Sequence, residues 1–203
     1  SRMNSADIAQ LRYVNTDCVK TQFGINTFDE ILDAFKNKCY INVDKFWGHP
    51  KEIAAAIRRH NMEDQILVKS SLSDRVLSVL EEVAPDIPFM AIVRNNHDAH
   101  ESLMKRSIHY IGAEVLFESE TAEVASHAFV ERMHRDGKLV WANSIIYDYR
   151  EQLAAGHSDD TALTESEEIG WGWLADRGFD LIQTDWPLMM RLYLEETGRR
   201  FKK

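Results

Sequence analysis

Short apolar runs rich in β-branched residues recur along the chain at a nearly constant interval. They are Ile41 to Asp44, Ile66 to Lys69, Phe89 to Val93, Glu114 to Phe117 and Leu139 to Asn143, with a sixth at Leu181 to Thr184. The first five begin about 25 residues apart, which leaves room in each repeat for one strand, one helix and two short loops. Helical periodicity with its own start signal follows each run, at about residues 50 to 60, 71 to 83, 98 to 106, 121 to 136, 165 to 177 and 187 to 197. One more helix, at about 27 to 36, precedes the first run. Its start is marked by Thr27-Phe28-Asp29-Glu30, a capping box in which Thr27 accepts from the backbone of Glu30 while Glu30 reaches back to the N–H of Thr27. Strands alternating with helices predict parallel strands joined by helical crossovers, the α/β class.

Two architectures fit six such units: a doubly wound sheet, and a TIM-type barrel short of two units. The doubly wound fold binds nucleotides through closely spaced glycines between a strand and a helix. Most of the 9 glycines here lie after residue 110, without that spacing. The expectation is therefore an α/β fold of TIM-barrel type, with about six of its eight βα units present in this chain. A length of 203 residues suits one sizeable core, so residues 1–203 read as a single domain. Hydrophobic residues at 44% and charged residues at 28% are those of a globular chain. A net charge of −9 argues against a nucleic-acid footprint, so any phosphate recognition must be local. The longest apolar runs, such as Phe89-Met90-Ala91-Ile92-Val93, fall far short of the roughly 20 residues of a membrane span. Cys18 and Cys39 make neither a metal-ligand spacing nor a disulfide framework. The rhythm breaks once, at Tyr147 to Glu168, a long connection carrying Gly156-His157-Ser158-Asp159-Asp160. In a barrel an insertion after a strand lies on the C-terminal face, where active sites form.

Several residues are placed to carry chemistry. Asp44 ends the first strand. A carboxylate there either points into the barrel mouth, where a hard divalent cation takes oxygen ligands, or opens a surface loop. Lys45 follows it, and Lys69 closes the second strand. Each ammonium either meets a phosphate as a compact point charge or lays its stem on apolar surface with its head in water. Trp141, inside the fifth strand, is either a wall for a small ligand or core. Asp185 lies between Thr184 and Trp186-Pro187, where capping of the helix that the proline starts explains the residue types. His97 and His100 have no third ligand at a recognisable spacing, so a solvated loop is favoured over a zinc site.

Taken in order, these fragments resemble the glycerophosphodiester phosphodiesterase family, a TIM barrel that hydrolyses deacylated phospholipids to glycerol 3-phosphate and an alcohol. Ile25-Asn26-Thr27-Phe28-Asp29-Glu30-Ile31-Leu32 resembles the family's IPTLEEVL helix, with Asn26 in place of proline. Ile41-Asn42-Val43-Asp44-Lys45 resembles the IELK strand, with aspartate in place of glutamate. Trp141-Ala142-Asn143 resembles WTVN with one residue fewer, and Ile182-Gln183-Thr184-Asp185-Trp186-Pro187 resembles IxTDxP. The family's opening motifs, His-Arg-Gly, Glu-x-Asp and a His-Asp loop, do not occur before residue 25. In the family they supply the general acid/base pair and two metal-binding carboxylates.

The resemblance implies that an upstream segment completes the barrel and that the whole is a metal-dependent phosphoric diester hydrolase of lipid metabolism. It implies Asp44 as a ligand of Mg2+ or Ca2+, Lys45 and Lys69 as phosphate contacts, and Trp141 as the wall on the glycerol side. The substrate would be a small-molecule phosphodiester, and the chain alone would lack turnover. The alternative is a non-catalytic ligand-binding or interaction domain derived from the same barrel. In that alternative the first and sixth strands would be open edges that invite pairing with another chain, a second copy included.

Overall fold

The computed structural model describes residues 3–148 and 150–199. Along the chain run α1 (Ser5–Ala9), α2 (Phe28–Phe35), β1 (Ile41–Val43), α3 (Pro50–His60), β2 (Ile66–Ser70), α4 (Asp74–Val83), β3 (Phe89–Arg94) and α5 (His100–Leu103). There follow β4 (Tyr110–Leu116), α6 (His127–Arg135), β5 (Leu139–Asn143), α7 (Asp159–Thr164), α8 (Trp173–Asp176), β6 (Leu181–Gln183) and α9 (Pro187–Glu196). The strands pair in parallel in the order in which they occur, β1-β2-β3-β4-β5-β6, and the sheet curls into an incomplete barrel. This is the α/β fold of TIM-barrel type that the sequence periodicity predicts.

Period-two alternation decides what each strand shows to each side. Val68, Ala113, Val115, Val140 and Ala142 belong to a large buried cluster with Ile57, Leu80, Phe129 and Met133 from the surrounding helices. The residues between them, Lys69, Glu114, Trp141 and Asn143, therefore point to the other side, into the lumen. Burying one face of the sheet under helices thus forces these polar positions together.

The element starts follow local chemistry. Thr27 caps α2 as read: the Glu30 N–H donates to Thr27 Oγ1 over 3.2 Å, and the Thr27 N–H donates to Glu30 Oε2 over 2.7 Å. Strand β4 begins at Tyr110, four positions before the predicted start at Glu114. The strand continues through Gly112, where an added Cβ would lie 2.1 Å from the carbonyl oxygen of Leu139 in β5. The glycine that blurs the strand pattern is what lets the two strands approach. The predicted helix at 98 to 106 shrinks to the single turn of α5, and that at 165 to 177 becomes a turn of π-helix over Glu168–Gly172 running into α8. No helix among the described residues is long and apolar enough to cross a membrane.

Candidate functional site

The C-terminal ends of the strands surround a cavity of about 370 Å3. Asn42 and Asp44 reach it from β1 and its end, Lys69 from β2, Glu114 from β4, Asn143 from β5 and Gln183 from β6. At the opposite ends a second opening of about 520 Å3 is apolar, lined by Leu67, Met90, Ile111 and Leu181 among others. The lumen thus has a polar mouth and an apolar floor.

The mouth is held by one buried network. Lys69 Nζ lies 2.8 Å from Glu114 Oε2, and the two side chains are 8% and 9% exposed. Asn143 Nδ2 donates to the other carboxylate oxygen, Glu114 Oε1, over 2.8 Å. The same ammonium sits 4.0 Å above the Trp141 ring, a cation–π contact strengthened by removal from water. Two of the four buried polar side-chain atoms without a hydrogen-bond partner among the described residues belong to this network: Trp141 Nε1 and Asn143 Oδ1. Such orphans are rare in a folded chain, because each forfeits its bonds to water.

Of the four residues singled out in the sequence, the fold brings three to the lumen. Asp44 and Lys69 line the mouth, and Trp141 meets the Lys69 ammonium without itself lining the cavity. Lys69 does not extend its head into water. Trp141 is 9% exposed yet lies outside the helix-side cluster, since its position in β5 faces the lumen. Lys45 is separate from them. It is exposed, in a left-handed conformation (φ 55°), at the point where the chain leaves β1 to bury Phe46, and it does not line the cavity. Strand β1 ends at Val43, before both residues, and the left-handed turn at Lys45 separates it from the cavity that Asp44 lines.

Glu114 and Asn143 were not among the candidates. Their signal was present: a carboxylate in Gly112-Ala113-Glu114-Val115-Leu116, and an amide two residues after Trp141 on the same strand face.

The insertion after β5 contributes Tyr147, Glu151 and Leu153 to the cavity wall, and Glu151 pairs with Arg94 at the end of β3. Its polar segment turns inward as struts. Asp159, 2% exposed, accepts from Ser144 Oγ at 2.9 Å, Trp171 Nε1 at 2.8 Å, Thr184 Oγ1 at 2.7 Å and the Asp185 N–H at 2.9 Å. Four donors satisfy a buried carboxylate, so Asp159 ties the insertion to the ends of β5 and β6. His157 stacks on Trp173 with ring centroids 3.8 Å apart and bonds the Ile169 carbonyl at 2.6 Å. Thr184 accepts from the Trp186 N–H over 2.9 Å at the start of α9.

The expectation of a solvated loop for His97 and His100 is corrected by the structure: they are 3% and 5% exposed. The Tyr110 hydroxyl at the start of β4 lies 2.8 Å from His97 Nε2 and 3.1 Å from His100 Nδ1, and Asp136 lies 3.0 Å from His100 Nε2. These partners, remote in sequence, make burial of the pair affordable. Burial pushes the His97 pKa down to about 4, with the neighbouring His100 and Arg132 adding to the shift. Burial also raises the Tyr110 pKa. Among the described residues no group of three or more His, Cys, Asp or Glu side chains is arranged to hold a metal ion.

A family model described as a domain of unknown function, DUF4996, matches residues 89–194. No curated protein matches the chain. Among solved structures, it is similar to a glycerophosphoryl diester phosphodiesterase from Parabacteroides distasonis ATCC 8503, with 17% identity and a TM-score of 0.71 over 96% of this chain and 64% of that one. It is also similar to a protein from Galdieria sulphuraria assigned to the glycerophosphodiester phosphodiesterases, with 15% identity and a TM-score of 0.66 over 95% of this chain and 70% of that one. At these identities the likeness is one of fold. The chain spans 64% of the length of the Parabacteroides protein.

Proposed function

This chain belongs to the DUF4996 family, and we propose that it forms the greater part of a phosphodiester-binding barrel. Completed by an upstream segment, the barrel would hydrolyse glycerophosphodiesters to glycerol 3-phosphate and an alcohol. The observation that carries the reading is the polar mouth, which Asp44 and Lys69 line at the C-terminal ends of parallel strands, with the Trp141 ring against the Lys69 ammonium. Lys69 brings a positive charge to a site largely removed from water, where it favours a phosphate. Trp141 presents its ring and a free N–H beside that charge.

A divalent cation fits in part. The Asp44 carboxylate and the Asn42 amide oxygen on this cavity are hard donors of the kind Mg2+ and Ca2+ take. Asp44 would hold the ion with further ligands from the substrate, water or the upstream segment, and the ion would supply charge neutralisation at the phosphate. Proton transfer would fall to the histidines that the resemblance places in the upstream segment, where a pair near neutral pKa can alternate as base and acid. Lys45 would join the phosphate only from the rim.

The test is turnover of a glycerophosphodiester with Mg2+ or Ca2+ by residues 1–203 and by the full-length product of the gene. The expected result is no turnover by the first and metal-dependent turnover by the second. Turnover by residues 1–203 alone would sink the assignment of proton transfer to an upstream segment. One observation favours the non-catalytic alternative: Lys69 is already neutralised by Glu114. Ligand binding without hydrolysis by the full-length protein would establish that alternative.

A further inference from the structure

Glu114 has no assigned task in the reading above, yet it fixes the groups that do. A carboxylate only accepts hydrogen bonds, so the Asn143 amide must turn its NH2 toward Glu114, and its Oδ1 is left facing away. That oxygen is buried and without a partner among the described residues, in a side chain 2% exposed that lines the cavity. The other Glu114 oxygen holds the Lys69 ammonium above the Trp141 ring. One carboxylate therefore sets a cation and an orphaned acceptor side by side.

We propose that Glu114 is a positioning residue that makes Asn143 Oδ1 a dedicated acceptor for a hydrogen-bond donor on the ligand, so that the mouth selects phosphate esters bearing a hydroxyl over esters that lack one. The proposal rests on the phosphate-ester reading and adds to it the residue that discriminates. A hydroxyl on the ester satisfies the orphaned oxygen, whereas an alkyl phosphate, largely dianionic near neutral pH, offers acceptors and leaves it unpaired. Leaving a buried acceptor unpaired costs on the order of tenfold in affinity.

The same carboxylate also restrains Lys69. Replacing it with an amide would leave the ammonium without its counter-ion and let the Asn143 amide turn either way. The two ligand groups should then respond in opposite directions.

Calorimetric titration of residues 1–203 with glycerol 3-phosphate and with n-propyl phosphate, which lacks the hydroxyls, tests this, comparing wild type with Glu114→Gln. Wild type is expected to prefer glycerol 3-phosphate by about tenfold. In Glu114→Gln the preference should fall to near unity while propyl phosphate binds tighter than before. A merely structural role would weaken both probes together, and that result would overturn the proposal. Asn143→Ser removes the amide oxygen while keeping a hydroxyl donor, and is the second variant should Glu114→Gln fail to fold. It should lose the same preference, and an unchanged preference would overturn the proposal while leaving the barrel reading intact. Failure of wild type to bind either probe would overturn both.

Discussion

His97 shows how burial turns one residue into a pH-dependent element of stability. Its folded pKa is about 4 against an ordinary 6.5, so between those values the unfolded chain binds a proton that the folded chain refuses. The stabilising effect of the neutral ring is therefore present above about pH 6.5 and is lost as pH falls toward 4, by roughly 3 kcal/mol in all. Urea denaturation at pH 7 and pH 4.5 should give wild type a steeper loss than His97→Gln, which has nothing to titrate. Equal losses would contradict the burial argument. The residue was visible in the sequence, but its partners were not: Tyr110 is 13 positions away, and only folding brings it near. Asp159 was hidden in the same way, since its four donors come from Ser144, Trp171, Thr184 and Asp185. Asp44, Lys69 and Trp141 were legible because a strand end or strand interior fixes a residue's position from local pattern alone. The position of Lys45 was not legible, because the left-handed turn two residues past the end of β1 leaves no mark in the strand pattern.

At the scale of elements, the alternation of strands and helices was legible along the whole sequence, and the boundaries were less so. Strand β4 is the instructive case. Its first half, Tyr110-Ile111-Gly112-Ala113, reads poorly as a strand because glycine and alanine have low strand propensity. Close packing against Leu139 requires that small residue, with an added Cβ only 2.1 Å from a backbone oxygen. Gly112→Ala should force β4 and β5 apart and cost about 3 kcal/mol or more, read as a lowered denaturation midpoint. A change below about 1 kcal/mol would mean the strands can part freely, contrary to this packing. The insertion behaves differently. Its sequence suggested a loop on the active face, and part of it does wall the mouth, but tertiary contacts to Asp159 and His157 convert the rest into a brace.

For the whole molecule, the sheet ends at β1 and β6. Unpaired strand edges beside an apolar floor favour association, and we expect residues 1–203 to self-associate in light scattering as concentration rises. A monomer at every concentration would count against edge pairing. The polar mouth is proposed to bind and orient a phosphodiester. The most direct test of this role is the rate of glycerophosphodiester hydrolysis by the full-length gene product, comparing wild type with Asp44→Asn and Lys69→Met at saturating Mg2+ or Ca2+. Loss of a metal ligand or of the phosphate-facing charge should lower turnover by about a hundredfold or more. Rates for both variants within about threefold of wild type, a difference well under 1 kcal/mol of barrier, would contradict it.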